Sequence, residues 1–403
     1  MAKIYPFTAI HPNPIYADQL VFTKSQSESV AGNTMVPEAL PPLKTLLETG
    51  ARQRPETAEG QALAYQDINE TFTSLLETGR LWPDSRPCMY VYEVGHGLNK
   101  QTGIWAVTSL EDPIKTHELT FDESVRRIRN YRAQTGLEGS PILLTYPPDR
   151  RVNAIITEAK CGLPDVHYEN PSGTHHLWRV DSPEILRQLT DTFAEINDVY
   201  LADGHHRKRS AKLLLKEQRA AGSPLYETIS ALYMSTSELR IRQYYRAVIP
   251  EQPVDKGWLF KQLQPDFCIK HTCDNEPVEP WAEKQMGLYI GGEWYHLTAR
   301  PDTAVSRNMN GLLDVSILQD HILARLFQIL DPGTDPRLKH AGGEKAIAEM
   351  EAIFRAHPRA IGFTLFPMTV EQLTKAADEG FNLPPKSTWI DPKIPYGLLL
   401  FKH

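Results

Sequence analysis

Residues 199–218 read VYLADGHHRKRSAKLLLKEQ. A short apolar run, Val199 to Ala202, meets Asp203-Gly204 and passes at once into a helical pattern, so the stretch reads as strand, turn and helix. Strand and helix signals alternate in the same way along the whole chain, which places the fold in the α/β (α+β) class with mixed sheets. The helix is predicted to last to about Ala221 and to stop at Gly222. It opens with His205-His206-Arg207-Lys208-Arg209. A helix N-terminus carries partial positive charge and four unpaired N–H groups, so cations are disfavoured there. Two imidazoles and a guanidinium around those N–H groups favour an anion, and phosphate is the natural ligand. The plainer alternative has Asp203 capping the helix and pairing with the basic residues as a solvated surface feature.

The remaining elements follow from the same signals. An amphipathic helical stretch lies around Ile68–Glu77, and CMYVYEV (88–94) and GIWAVTSL (103–110) read as a hairpin. A helix is predicted from about Asp122 to Gln134 with Gly136 as its stop, then a buried strand at PILLTYP (141–147) and a helix at NAIITEA (153–159). HHLWRV (175–180), TISALYMS (228–235) and YYRAVI (244–249) read as strands, with a helix over Pro183–Asn197. Beyond residue 250, GLYIGGEWYHLTA is a hairpin turning at Gly-Gly. LLDVSILQDHILARLFQIL reads as one amphipathic helix with Asp314 as its N-cap. RAIGFTLFP is a strand, and Thr369 opens a helix with capping-box spacing to Gln372 that ends at Gly380.

Bulk properties narrow the function classes. With 403 residues, 41% of them hydrophobic, the chain is long enough for two or three domains. A net charge of −7 argues against a nucleic-acid partner, because such binding runs on phosphate neutralisation by Lys and Arg. The start, MAKIYPFTAIHPNP, has no apolar core of a signal peptide, and no run of 18 apolar residues exists, so a soluble cytoplasmic protein without a membrane partner is expected. The 4 cysteines make no disulfide framework. CIKHTC (268–273) matches no zinc-ribbon spacing and reads as ordinary strand cysteines.

Two further stretches hold candidate chemistry. In IKTHELT, His117-Glu118 follows a strand and precedes a helix, where a carboxylate beside an imidazole can act as general base for a hydroxyl; Thr120 is otherwise a simple cap for the next helix. In GFNLPPKSTWIDPK, Gly380 to Ser387 imitates a phosphate-binding loop, but Pro385 stands where the second glycine belongs and has no N–H to offer. Lys386, Ser387 and Thr388 remain able to contact an anion, or form an ordinary surface loop. Arg126, Arg127, Arg129 and Arg132 read as a solvated helix face.

Taken in order, KTHE, LADGHHR and PPKSTWIDPKIPYG resemble the boxes of a bacterial family filed as a domain of unknown function (family 1015). That resemblance runs from Pro6-Phe7 to the last loop, with LLDVSIL and PPKST…PK as its most specific pieces. The same order of boxes is similar to the archaeal free-serine kinases of the ParB/sulfiredoxin-like superfamily. The resemblance implies a ParB/sulfiredoxin-like core over 101–250, with an N-terminal mixed region (1–100) and a C-terminal α/β region (251–403) added to it. It implies phosphoryl transfer between free L-serine, or O-phosphoserine, and an adenine nucleotide (ADP or ATP), in serine metabolism. Glu118 would be the catalytic base, with Asp203 and His206 beside it, and Asp203 would help place Mg²⁺. His117, Gly204, His205 and Arg207 would hold phosphate, and Lys386, Ser387 and Thr388 the amino-acid substrate. An interval of 85 positions between Glu118 and Asp203 implies an insertion around 147–182. QYYR (243–246) replaces a Pro-x-His-Arg box of the family, so Arg246 is kept and the histidine is not. A phosphoserine phosphatase and a non-catalytic phosphometabolite or nucleotide sensor are the rival readings; a ParB-like DNA binder lacks a basic surface, and a sulfiredoxin-type reductase lacks a cysteine in the 203–207 box.

Overall fold

The computed structural model describes residues 2–21, 40–49, 57–97, 99–170, 173–273, 276–304, 313–384, 386–391 and 393–403. They form two units: Met1–Lys115, Thr120–Leu239 and Pro392–His403 make the first, and Thr116–Leu119 with Arg240–Asp391 the second. Among the described residues no helix is long and apolar enough to cross a membrane.

The first unit is built on an eight-stranded mixed sheet. Its strands are β1 (Ile4–Tyr5), β2 (Met89–His96), β3 (Asn99–Ser109), β4 (Ile142–Tyr146), β5 (Val166–Asn170), β6 (Gly173–Val180), β7 (Tyr200–Asp203) and β8 (Thr228–Ser235). The order is β7-β4-β8-β3-β2-β6-β5, with β1 alongside β3. The β8–β4 pair is parallel and the others are antiparallel. Every residue of β4 is buried, as fits an apolar run with both faces covered. Residues 147–182, expected as an insertion, form helix α3 (Arg150–Ala159) and the β5–β6 hairpin, which extends the sheet at one edge.

The other helices of this unit are α1 (Ala58–Glu77), α2 (Asp122–Thr135), α4 (Pro183–Glu195) and α5 (His205–Ala221). Val152 and Ile155 of α3 and Leu189 and Phe193 of α4 pack into one core with Val91, Ile104, Leu144 and Ala231 of the sheet. Helices α2 and α5 pack on each other. Both end on a left-handed glycine, Gly136 and Gly222, as predicted.

The arginines of α2 are not one solvated face. Arg132 is 3% exposed and pairs with the buried Glu138, whose carboxylate also meets His403 at 2.7 Å and the Ser230 N–H at 2.9 Å. Glu138 and the Thr228 carbonyl hold its guanidinium inward, where the sequence alone suggested water.

In the second unit β9 (Arg240–Arg242) precedes a six-stranded antiparallel sheet, β10 (Tyr244–Val248), β11 (Phe267–His271), β12 (Gln285–Ile290), β13 (Glu293–Ala299), β14 (Leu338–Gly342) and β15 (Ile361–Leu365). The order is β11-β13-β12-β15-β10-β14, and β9 pairs separately with β16 (Trp389–Asp391). Helices α6 (Lys256–Leu263), α7 (Ala346–Ala356) and α8 (Val370–Asp378) complete it, α8 with the full Thr369–Gln372 capping box. Cys268 and His271 lie exposed on β11. The helix predicted over 312–330 differs in two respects. Its N-cap is Leu313, because the Asp314 carboxylate accepts the Lys284 N–H and not one of its own helix. It also widens into a π turn over Gln319–Ala324.

Burial would raise the Glu138 pKa, but Arg132, then His403 and the Ser230 N–H, hold it below the usual carboxylate value. The stability from this group is therefore complete above the ordinary carboxylate range and lost on acidification. Arg132→Met leaves the carboxylate buried without its cation and is expected to cost about 3–5 kcal/mol in urea denaturation; a loss below about 1 kcal/mol would contradict the assignment.

Candidate functional site

Strand β7 ends at Asp203, after a register shift against β4 between Leu201 and Asp203. Gly204 then forms the N-cap of α5 with φ 99° and ψ 27°. That left-handed conformation suits glycine, and a Cβ there would meet Ile142 Cγ2 at 2.9 Å and the Arg207 guanidinium at 3.0 Å. No side chain caps the helix, so Asp203 is the end of the strand and not the N-cap.

Asp203 Oδ2 lies 3.6 Å from the Arg207 guanidinium and 3.6 Å from the Lys393 ammonium. Burial works to raise the Asp203 pKa, but Lys393, Arg207 and His205, with the Gly204 N–H, overcome it and hold the carboxyl well below the usual range. Asp203 is thus ionised at neutral and mildly acid pH, and the stability of its pairs is lost only as pH falls through that depressed value. Among the described residues it is not grouped with two further His, Cys or carboxylate ligands.

The basic residues of the helix start divide by what they hold. The Phe121 N–H donates to His206 Nε2 at 3.0 Å, and the two rings lie 5.5 Å apart. That engages one of the two nitrogens of His206. Lys208 is buried and donates to the Ile114 carbonyl at 2.8 Å; burial, then Lys212, push its pKa down to about 8. Arg209 donates to the Thr120 hydroxyl at 2.6 Å and pairs with Asp122 at 2.7 Å. His205 is buried at the first helical position, and Arg207 stays with Asp203. Much of the charge that the sequence stacks at this helix start therefore ties the helix to neighbouring backbone. Lys393 escaped the sequence reading, although it is the lysine of the PPKST…PK piece.

In the second unit, Glu118 and Leu383 form a parallel bridge, and the Leu383 N–H donates to the His117 carbonyl at 2.7 Å. His117 is buried. The His-Glu segment is thereby held beside the chain that leads into Lys386, Ser387 and Thr388; Pro385 lies outside the described residues.

The backbone of Lys386 is left-handed, with φ 62°, a conformation that costs roughly 1–3 kcal/mol for a residue with a side chain. Its carbonyl accepts from Arg246 at 3.1 Å, and Arg246 also donates to the Tyr244 carbonyl at 3.1 Å. Arg246 is 1% exposed, and the partners of its guanidinium are these backbone carbonyls. Burial pushes its pKa down to about 10. Burial first, then the charges of Arg246, Lys386 and Lys339, push His340 down to about 3, so this cationic neighbourhood keeps the imidazole neutral. The Ser387 hydroxyl donates to the Pro384 carbonyl and is buried, Thr388 is half-buried, and Lys386 is exposed.

A family model described as a protein of unknown function (DUF1015) matches residues 4–316. The match takes in Glu118 and Asp203–Arg207 and ends before the Lys386 loop. Among solved structures, a mutant free serine kinase in complex with AMP is 12% identical, with a TM-score of 0.40, 73% of this chain and 92% of that chain covered. A conserved hypothetical protein from Pyrococcus furiosus is 12% identical, with a TM-score of 0.37 and coverages of 72% and 93%. SbnI from Staphylococcus aureus, truncated at its C-terminus, is 10% identical, with a TM-score of 0.38 and coverages of 73% and 87%. No curated protein matches.

Gly204→Ala is expected to lower stability by about 1–3 kcal/mol in urea denaturation, because alanine must take the left-handed turn; a neutral effect would show that the turn relaxes. Arg246→Lys keeps the charge but replaces the planar fork, whose two nitrogens each take one carbonyl, with a single compact ammonium. It should speed amide exchange over 386–388 by about tenfold or more, the equivalent of one charged hydrogen bond, and unchanged exchange would show that Arg246 does not hold the loop.

Proposed function

This chain belongs to the DUF1015 family, and we propose that it is a phosphotransferase acting on free L-serine or O-phosphoserine, with ADP or ATP as nucleotide partner. The observation that carries the reading is the Gly204 turn, where an ionised carboxylate flanked by Lys393 and Arg207 stands at the start of a helix that no side chain caps. Gly204, His205 and Arg207 hold phosphate there, through backbone N–H groups and charge. His206, with one nitrogen on the Phe121 amide, fixes the helix start.

Glu118 takes the serine hydroxyl proton when serine is phosphorylated and returns it in the reverse direction. His117, buried beside it, orients that segment. Lys386, Ser387 and Thr388 recognise the phosphate or carboxylate of the amino acid, a role supported by the buried guanidinium of Arg246 beneath them. Asp203 with Lys393 and Arg207 sums to one positive charge, which does not favour a bare divalent ion. Asp203 therefore fits Mg²⁺ only as one carboxylate ligand among substrate phosphates, the usual manner for that ion. Mg²⁺ so bound neutralises phosphate charge, which with positioning is most of what phosphoryl transfer needs.

The test is to incubate the purified full chain with O-phosphoserine and ADP, and separately with serine and ATP or ADP, and to follow nucleotide and amino acid by chromatography. Phosphate is expected to pass between them, and Glu118→Gln to slow it by roughly 10²–10⁴-fold with nucleotide binding retained. No transfer in any combination, or full activity in Glu118→Gln, overturns the proposal. Phosphate released from O-phosphoserine to water without nucleotide would identify a phosphatase instead.

A further inference from the structure

The second unit contains a small cavity with Asp314, Glu283, Gln372, Tyr244 and Ser387 on its polar side. Leu313, Val315 and residues 365–368 make the rest of its wall. Asp314 is only 9% exposed. Its Oδ1 accepts the Lys284 N–H at 2.8 Å and lies 3.9 Å from the Lys284 ammonium. The hydrogen bond of its carboxylate is thus made through Oδ1, while the residue lines the cavity. The Lys284 ammonium is itself buried and donates no hydrogen bond among the described residues.

Glu283 adds a second carboxylate to the wall, with one oxygen accepting from Gln372 at 2.9 Å. The cavity thus offers acceptors and negative charge, the complement of an ammonium group. Ser387, from the loop assigned to the amino-acid substrate, forms part of the same wall. Burial, opposed by the Lys284 amide and ammonium, pushes the Asp314 carboxyl up to about 6.

We propose that this cavity receives the α-ammonium group of the amino-acid substrate, with the Asp314 carboxylate as its acceptor. The identity of the amine rests on the serine reading above; the preference for a primary ammonium does not. Asp314 belongs to LLDVSIL, a stretch that the sequence singles out and that the phosphate chemistry leaves without a role.

The experiment is calorimetric titration of the full chain with L-serine, O-phosphoserine and their N-acetyl derivatives, with and without ADP. N-acetylation removes the charged donor and is expected to weaken binding by about tenfold or more. Asp314→Asn, which still accepts the Lys284 N–H, should bind L-serine about tenfold more weakly or worse and lose most of the penalty for N-acetylation. Equal binding of L-serine and N-acetyl-L-serine by the native chain overturns the proposal, as does an Asp314→Asn variant with the full preference, or no binding of any amino acid in either condition. Ammonium preference without phosphate transfer would remove the transferase reading alone. Transfer indifferent to N-acetylation would remove the cavity alone.

Discussion

Strand β7 passes into helix α5 through a single residue, Gly204, in a left-handed conformation that side chains avoid, and the candidate phosphate site depends on that turn. The turn ends β7 at Asp203 and starts α5 at His205 with no capping side chain. It also puts Arg207 one helical turn beyond Asp203, within 3.6 Å of its carboxylate. An alanine Cβ would meet both Ile142 and that guanidinium. Backbone geometry and electrostatics are therefore set by the same residue.

Charge in both units is used more for position than for stability. Buried or half-buried ion pairs contribute little net free energy, because desolvation offsets the Coulomb attraction. What they do here is hold backbone. Lys208 takes the Ile114 carbonyl, Arg209 takes Thr120, and Arg246 takes the carbonyls of Tyr244 and Lys386. In the last case the guanidinium sits under a residue whose left-handed backbone needs support. The loop keeps its shape, with the Lys386 side chain exposed.

Local signals made much of this legible in the sequence. The strand TISALYMS appears with the predicted ends, the Thr369–Gln372 capping box is complete, and Gly136 and Gly222 stop their helices. Gly291-Gly292 turns the predicted hairpin with both φ values positive. Each of these is decided by residues within a few positions of one another. The misreadings share the opposite property. Asp314 carries the composition of an N-cap, yet its carboxylate goes to Lys284, thirty positions away. Arg132 looks like surface charge until Glu138 and the carbonyl of Thr228 meet it. The π turn over Gln319–Ala324 leaves no mark in an amphipathic pattern.

By itself, then, the amino-acid sequence determined the alternation of strands and helices, the Gly204 turn and the residue types at it, because backbone preference and hydrophobic period are local properties. Only the tertiary structure decided which of the basic residues after Gly204 are consumed by neighbouring carbonyls and carboxylates. It also brought Lys393 to Asp203, laid Glu118 beside Leu383 and set Asp314 in the wall of a cavity. The physical reason is common to all of these. A charge or a hydrogen-bonding group acquires its role from whatever is packed against it, and packing partners lie far apart along the chain.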